Sequence, residues 1–362
     1  MDFQLSDDQR MLVETAGRFA GTGGRALADP DTLWREIADL GFLGLCVAEA
    51  DGGLGLTSVE AGIVTEAFGR GLVRTPFIAS AVLAAPLLSD LADRTFGREL
   101  ASRSMDGSAI LAAALLEPHG RYDLGDIETG FKSDGDLIRL DGIKSNAPYA
   151  AEATHLIVSA RAADGDVGLF LVERDAPGVI VEGFPTLDGQ SCATVRLDGV
   201  TVDAGRRIGS RADGFALLEG AVDRAIAALC GEAVGAMGQL CDLTFDYLKT
   251  RRQFGRPIGQ FQALQHRAAE MLIGLEQSRS AAIMASAGIA SSDPIVRRRL
   301  VSAAKATISR WSRFIGQQAV QLHGGVGITD ALPVGRYFKR LTYIDATFGD
   351  ASHHTERFAD AG

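Results

Sequence analysis

From Ser6 to about Gly107 apolar and polar positions recur with a helical period. Ser6, Asp7 and Asp8 are cap residues, and Met11, Leu12, Ala16 and Phe19 follow at helical spacing. The glycine-rich stretch Asp51 to Leu56 interrupts the pattern. A second helical series runs from Val59 through Phe68 and a third from Ala79 to Leu91. Near Ala109 the period changes, because short Val, Ile and Leu runs now alternate with turn signals: AILAAALLE, LIRLDGIK, HLIVSAR, GLFLVE, GVIVEGF and TVRLDGVTV. The pairs Asp134-Gly135, Asp141-Gly142, Asp164-Gly165 and Asp198-Gly199 read as tight connections between these strands. The pattern predicts a small antiparallel β domain.

From Gly214 onward the helical period returns over longer stretches. The first helix, about Phe215 to Thr250, carries Gly231, Ala233, Gly235, Ala236 and Gly238, small residues that let a neighbouring helix approach closely. The second runs from about Phe261 to Ala287. The third opens at Ser292-Asp293-Pro294, a cap followed by proline at the first helical position, and stops at Gly324-Gly325. With the shorter C-terminal helices these predict a four-helix bundle. The fold class expected is therefore α+β in three parts: an N-terminal helical domain (1–108), a central antiparallel β domain (109–205) and a C-terminal helical bundle (206–362).

Composition narrows the function. At 362 residues and 46% hydrophobic content the chain can bury one large core or several smaller ones. A net charge of −10 argues against nucleic acid or an anionic membrane as the main partner. The run Arg297, Arg298, Arg299 reads as a solvated helix face. Cys46, Cys192, Cys230 and Cys241 have no CxxC spacing, and apolar neighbours mark Cys46, Cys230 and Cys241 as core residues, which fits a reducing, cytoplasmic compartment. The segment MDFQLSDDQR has no basic leader, and no uninterrupted apolar run reaches membrane-spanning length.

Two segments of the bundle carry candidate chemistry. RRQFGRPIGQFQALQHRAAEM, Arg251 to Met271, places Arg, Gln, an aromatic and Gly in a turn between two long helices, with Gln262 on the helix that follows. Arginine gives charge-assisted, geometrically fixed hydrogen bonds to phosphate oxygens. A basic turn capped by Gly255 and Pro257 accounts for the Arg-Arg dipeptide alone. QQAVQLHGGVGIT, Gln317 to Thr329, has glycines that let backbone amides approach a phosphate or ribose. A lone Gly-Gly after a helix is ordinarily a C-cap; its place one long helix beyond the first motif lifts it above that reading.

On these segments, the domain order and the N-terminal LGFLGLCVAEADGGLGLTSVEAGIVTEAFGR, the chain resembles the acyl-CoA dehydrogenase family over nearly its whole length. LCGEAVGAM, DYLKTRRQFG, FQALQHR and YFKRLTYIDATFGDASHH are similar to the bacterial branch typified by the small subunit of pimeloyl-CoA dehydrogenase. The resemblance implies FAD as cofactor, an acyl-CoA thioester as substrate, and α,β-dehydrogenation in which a carboxylate removes the α-proton while hydride leaves the β-carbon for the flavin. It implies electron-transfer flavoprotein or a similar acceptor as the electron sink, and a place in fatty acid or steroid degradation. It carries Arg251, Gln253, Phe254, Gln262, Gln321 and Gly325 over as contacts to the FAD held by a neighbouring subunit.

Against the family pattern several positions are changed. A Thr before Glu-Pro and a Ser six residues after that Thr are replaced by Leu116 and Tyr122, although Glu117-Pro118 remains. After Gly-x-Lys, a Trp and a Thr that face the flavin are replaced by Asn146 and Pro148, and proline has no amide to donate. The usual catalytic Glu position falls on Phe348, followed by Gly349 and Asp350. An alternative Glu position on the first long helix falls on Ala225, and Asp223 lies two residues, or about 200° of helix, away. Asp223, Glu232 and Asp350 remain as candidate bases, with Asp223 the one assigned. Glu232 can equally pair with a neighbouring helix, Asp350 can cap a helix starting near Ser352, and His353 and His354 read as surface or interface residues.

These replacements fall on contacts to a flavin in the chain's own cleft, whereas contacts that reach into a partner's site are kept. The expectation is a heterotetramer in which a second acyl-CoA dehydrogenase subunit supplies the flavin cradle and the carboxylate. Two readings compete with it: a homo-oligomeric dehydrogenase with a relocated acid, and a flavin-free acyl-CoA-binding scaffold.

Overall fold

The structure, a computed structural model, describes residues 4–21, 24–329 and 331–361; Met1, Asp2 and Phe3, the start of the segment read above as having no leader, lie outside them. In chain order the helices are α1 (Asp7–Ala20), α2 (Pro30–Asp39), α3 (Ser58–Gly71), α4 (Arg94–Met105), α5 (Gly214–Thr250), α6 (Gln262–Ile289), α7 (Pro294–His323), α8 (Val334–Ala346) and α9 (Ala351–Asp360). The strands are β1 (Leu111–Ala114), β2 (Gly130–Asp134), β3 (Leu137–Pro148), β4 (His155–Arg161), β5 (Val167–Glu173), β6 (Val179–Pro185), β7 (Ser191–Asp203), β8 (Arg207–Ile208), β9 (Arg252–Gln253) and β10 (Arg256–Pro257). The chain forms two compact units, one of residues 1–28, 58–74 and 226–362, the other of 29–57 and 75–225, with α5 running through both.

The first unit is helical. Ser6 Oγ accepts from the Gln9 amide while the Gln9 side chain accepts from the Ser6 amide, a reciprocal cap that starts α1. Where α3 meets α5, glycines replace side chains altogether. A Cβ on Gly69 would lie 1.9 Å from the Glu232 carbonyl oxygen, and one on Gly235 1.8 Å from that of Glu66. The backbones touch there, so only glycine fits. Gly274 of α6 faces the Trp311 ring of α7, whose indole N–H donates to Gln277 Oε1 at 3.0 Å. Asp293 caps α7 by accepting from the Ile295 amide at 2.8 Å, with Pro294 at the first helical position, as the sequence predicts. Among the described residues α5 is the helix long and apolar enough to cross a membrane, and 89% of its most apolar window is buried inside the protein.

The second unit is built on a sheet in the order β6-β7-β3-β2-β4-β5-β8, with β1 beside β4. Most pairs are antiparallel, but β1 runs parallel to β4, with Leu111 opposite His155, so the sheet is mixed rather than purely antiparallel. One face is packed by Leu140, Leu156, Val158, Phe170, Val172 and Val195, all fully buried.

Four local readings change in the structure. Asp134-Gly135 and Asp164-Gly165 do connect strands, but Asp141-Gly142 and Asp198-Gly199 sit inside β3 and β7. The β3–β7 register shifts between Leu140 and Gly142, Gly199 has φ +60°, and the Gly199 amide donates to Asp141 Oδ1 at 2.7 Å. The Asp-Gly chemistry thus forms a bulge instead of a turn. Second, β2 carries a single large apolar residue, Phe131, which left no periodic trace. Third, the helix expected over Ala79 to Leu91 is a π-helical turn (Ile78–Ala84) followed by a 3-10 turn (Ala85–Asp90), because Pro86 has no amide to continue an α-helix. Fourth, His354 is not at the surface but fully buried.

Candidate functional site

Arg251 follows the last residue of α5, and its amide donates to the Tyr247 carbonyl at 2.8 Å, which extends the helical path into the turn. β9 and β10 then form a short hairpin with Phe254 and Gly255 at its tip, at φ +51° and +81°. A phenylalanine in the left-handed region is strained and is found where position matters more than stability. Phe254 is 89% exposed and meets Phe261 edge-on at 6.0 Å, and the Arg256 guanidinium lies 4.2 Å from the Phe261 ring centre. Arg251, Gln253 and Gln262 are exposed, and the Arg251 guanidinium makes no hydrogen bond or ion pair among the described residues.

The glycine-rich segment begins where α7 ends. His323 is its last residue, Gly324 turns at φ +68°, and Gly324–Ile328 closes a 3-10 turn. A Cβ at Gly324 or Gly325 would meet nothing within 4 Å, so both face open space, and Gln321 is exposed beside them. The two segments come together at one end of the bundle. The Tyr247 ring stacks on the His323 imidazole with centroids 4.4 Å apart, and Tyr247 Oη donates to the His323 carbonyl at 3.4 Å. Arg267 of α6 donates to Gln318 Oε1 of α7 at 2.6 Å, which adds a second tie. A guanidinium unengaged among the described residues, exposed amide side chains and two open glycines suit an anionic dinucleotide.

The flavin-facing positions where the family pattern is broken, 116, 122, 146 and 148, lie in the sheet unit. Leu116 is buried, and Asn146 sits at φ +50° in a bulge where the β3–β7 register shifts between Lys144 and Ala147. Glu117, kept from the pattern, is a structural pin. Its Oε1 accepts from Lys144 Nζ at 2.6 Å and the Thr129 amide at 3.0 Å, and its Oε2 from the Glu128 amide at 2.9 Å. Burial pushes the Lys144 ammonium down to about 8, with Glu117 opposing it. Burial also works against the Glu117 carboxylate, but Lys144 and Thr129 more than offset it and hold the carboxyl below its usual range. His119 and Glu128 bring ligand atoms near Glu117, whose oxygens are already engaged by these donors.

The candidate acids have separate fates. Glu232 is locked to Arg340 of α8, Nε to Oε1 at 2.6 Å and Nη2 to Oε2 at 2.7 Å, both side chains buried. Asp350 caps α9, its Oδ1 accepting from the Ser352 and His353 amides at 3.0 and 2.9 Å. Asp223 is 0% exposed. Phe348 occupies the turn between α8 and α9 at φ +54°.

Two groups hold this turn: Lys305, which the sequence reading does not single out, and His354, which it places at a surface or interface. Lys305 of α7 is fully buried, and its Nζ donates to the carbonyls of Ile344, Asp345 and Gly349 at 2.8, 2.9 and 2.8 Å. Burial brings its ammonium down to about 8, against the opposing pull of Cys230, Asp345 and Asp350. His354 Nε2–H donates to the Phe348 carbonyl at 3.0 Å, and burial, reinforced by Lys305, His353 and Arg357, pushes its imidazole down to about 2. The available signal for Lys305 was a solitary cation in LVSAAKATIS, a stretch of small and apolar residues. Tyr247 and His323 fall within DYLKTRRQFG and QQAVQLHGGVGIT, and nothing in either motif marks them.

Comparison with known proteins assigns the chain. Family models described as the acyl-CoA dehydrogenase N-terminal, middle and C-terminal domains match residues 6–94, 112–200 and 212–361. Acyl-CoA dehydrogenase FadE27 of Mycobacterium tuberculosis is 30% identical, over 90% of this chain and 86% of its own. The solved structure described as the Tcur3481-Tcur3483 steroid ACAD G363A variant is 31% identical with a TM-score of 0.88, over 98% of this chain and 97% of that one. The ChsE4-ChsE5 complex from Mycobacterium tuberculosis gives 25% identity and a TM-score of 0.88 over 99% and 98%. A matching domain order, an end-to-end relative and a shared fold converge on one conclusion: this chain belongs to the acyl-CoA dehydrogenase family of FAD-dependent oxidoreductases.

Proposed function

We propose that this chain is the accessory subunit of a heterotetrameric acyl-CoA dehydrogenase, whose partner subunit contributes the flavin cradle and the proton-abstracting carboxylate. The observation that carries the reading is the disposition of its acids. Position 348 is a phenylalanine, Asp350 is spent on a helix cap, Glu232 is bound through both oxygens to Arg340, and Asp223 is enclosed. A base must reach the α-proton of its substrate within hydrogen-bond distance, which an enclosed or doubly paired carboxylate does not do without rearrangement. Meanwhile Arg251, Gln253, Phe254, Gln262, Gln321 and Gly325 are exposed, as residues that reach a partner's dinucleotide must be.

FAD, when bound, supplies the two-electron acceptor for α,β-dehydrogenation of an acyl-CoA thioester. The role of this chain is to bind and orient: Arg251 toward the pyrophosphate, and Gln321 and the Gly324-Gly325 backbone toward the rest of the dinucleotide. Two similar structures carry paired names, ChsE4-ChsE5 and Tcur3481-Tcur3483, and both favour a heteromeric assembly; the second is called a steroid ACAD, which favours a bulky, ring-bearing thioester. The bacterial branch typified by the small subunit of pimeloyl-CoA dehydrogenase is the one we assign. Electron-transfer flavoprotein or a similar carrier is the acceptor, and the cytoplasm the compartment.

The test is to purify the chain alone and with a co-expressed second subunit, recording the visible spectrum and turnover with an artificial acceptor. Colourless chain that gains FAD and activity only with the partner is the expected result. Yellow, active chain on its own would favour the homo-oligomeric reading with Asp223 as base, and Asp223→Ala would then abolish turnover. No flavin in any pairing would leave an acyl-CoA-binding scaffold.

A further inference from the structure

The geometry points to Tyr247 and His323 as a positioning pair that sets the Gly324–Ile328 turn against the Arg251 hairpin, and so aligns two separate groups of dinucleotide donors. This rests on the reading that the two segments contact one FAD. Tyr247 lies one helical turn before Arg251, whose amide donates to the Tyr247 carbonyl at 2.8 Å. His323 is the residue immediately before Gly324. The ring stack at 4.4 Å, with planes 28° apart, therefore joins the last turn of α5 to the last turn of α7 at the point where both donor segments leave their helices.

Two further contacts and the burial of the ring make the pair directional. His323 Nδ1–H donates to the Ala319 carbonyl at 2.8 Å, which fixes the ring's tautomer and rotation. Burial holds the imidazole below its ordinary value, so a neutral ring faces Tyr247. Gly327 folds back over the same residue, since a Cβ there would lie 2.9 Å from His323 Cβ and 3.0 Å from the Val320 carbonyl. His323 is thus held from below by its own helix, from the side by Tyr247 and from above by the turn it positions. Neither ring has been placed on the dinucleotide; both act through the segments they join.

A merely structural stack would show itself differently from a positioning one. An aromatic pair contributes only modestly to folding, an amount a large helical unit tolerates. Displacing a set of oriented donors, by contrast, weakens binding by about tenfold or more for each hydrogen bond to a charged oxygen that is lost.

The experiment uses the flavin-loaded oligomer containing the full-length chain and reads the FAD dissociation constant from flavin fluorescence on dilution, with the thermal midpoint of the same samples. Arg251→Gln serves as the benchmark for contact with FAD. Tyr247→Leu is expected to weaken FAD binding at least tenfold, and Tyr247→Phe, which keeps the ring, to stay within twofold of wild type at an unchanged midpoint. His323→Phe, also ring-preserving, supplies a second rescue, and His323→Leu a second disruption if Tyr247→Leu fails to fold. Leucine variants that fold and bind FAD like wild type, while Arg251→Gln weakens it, overturn the positioning role and leave the functional reading standing. If Arg251→Gln also binds FAD like wild type, the functional reading itself fails and takes the inference with it.

Discussion

Glu232 and Arg340 meet through both carboxylate oxygens, at 2.6 and 2.7 Å, across a helix pair that excludes water from each side chain. The contact removes a candidate base and ties α5 to α8, so one ion pair answers both a chemical and a structural question.

Removing one partner should therefore be costly. Glu232→Ala leaves the Arg340 charge buried and is expected to lower stability by about 3–5 kcal/mol, whereas Glu232→Met combined with Arg340→Met loses much less. Chemical denaturation midpoints of the three proteins check this, and equal losses in single and double variants would contradict it.

His354 predicts an acid limb. Its imidazole is pushed from 6.5 to about 2, chiefly by burial, so the unfolded chain takes up a proton that the folded chain refuses between those values. Its stability contribution is fully present above the unfolded value and falls by up to ~1.4 kcal/mol per pH unit below it. His354→Asn should flatten the loss of stability between about pH 6.5 and pH 4, read from urea midpoints across that range.

Lys305 predicts a local effect. Lys305→Met frees the Ile344, Asp345 and Gly349 carbonyls, each of which needs a partner when buried. Amide exchange over residues 344–350 should accelerate at least ~10-fold, the equivalent of about 1.4 kcal/mol of lost protection. Unchanged exchange in that window would mean that other groups hold the turn.

Two glycines predict opposite signs. Gly235→Ala forces a methyl to within 1.8 Å of the Glu66 carbonyl oxygen and should cost about 1–3 kcal/mol or more. Gly17, inside α1, has nothing within 4 Å of where a methyl would go, so Gly17→Ala should gain about 0.5–1 kcal/mol. Thermal midpoints of the two variants decide the matter.

The legible parts of this molecule were those set by local chemistry. Asp293-Pro294 announced the start of α7 because a cap and a proline act on their own helix, and Gly231 and Gly235 announced a close crossing because nothing else requires glycine there. The mixed sheet was not legible, since Leu111 opposite His155 depends on pairing between distant segments. Nor were the Asp141 and Asp198 bulges, whose Asp-Gly chemistry is the same as that of a turn until a partner strand shifts the register. At the candidate site the sequence motifs name residues one by one. Their meeting through Tyr247 and His323 could not, because the two rings are 76 positions apart and neither is unusual in its own helix.

The turn between α8 and α9 is held by its carbonyl oxygens, through Lys305 and His354. Because those bonds end on backbone oxygens, the side chain at position 348 can change without removing any of them, and the loop keeps its path whatever chemistry that position carries.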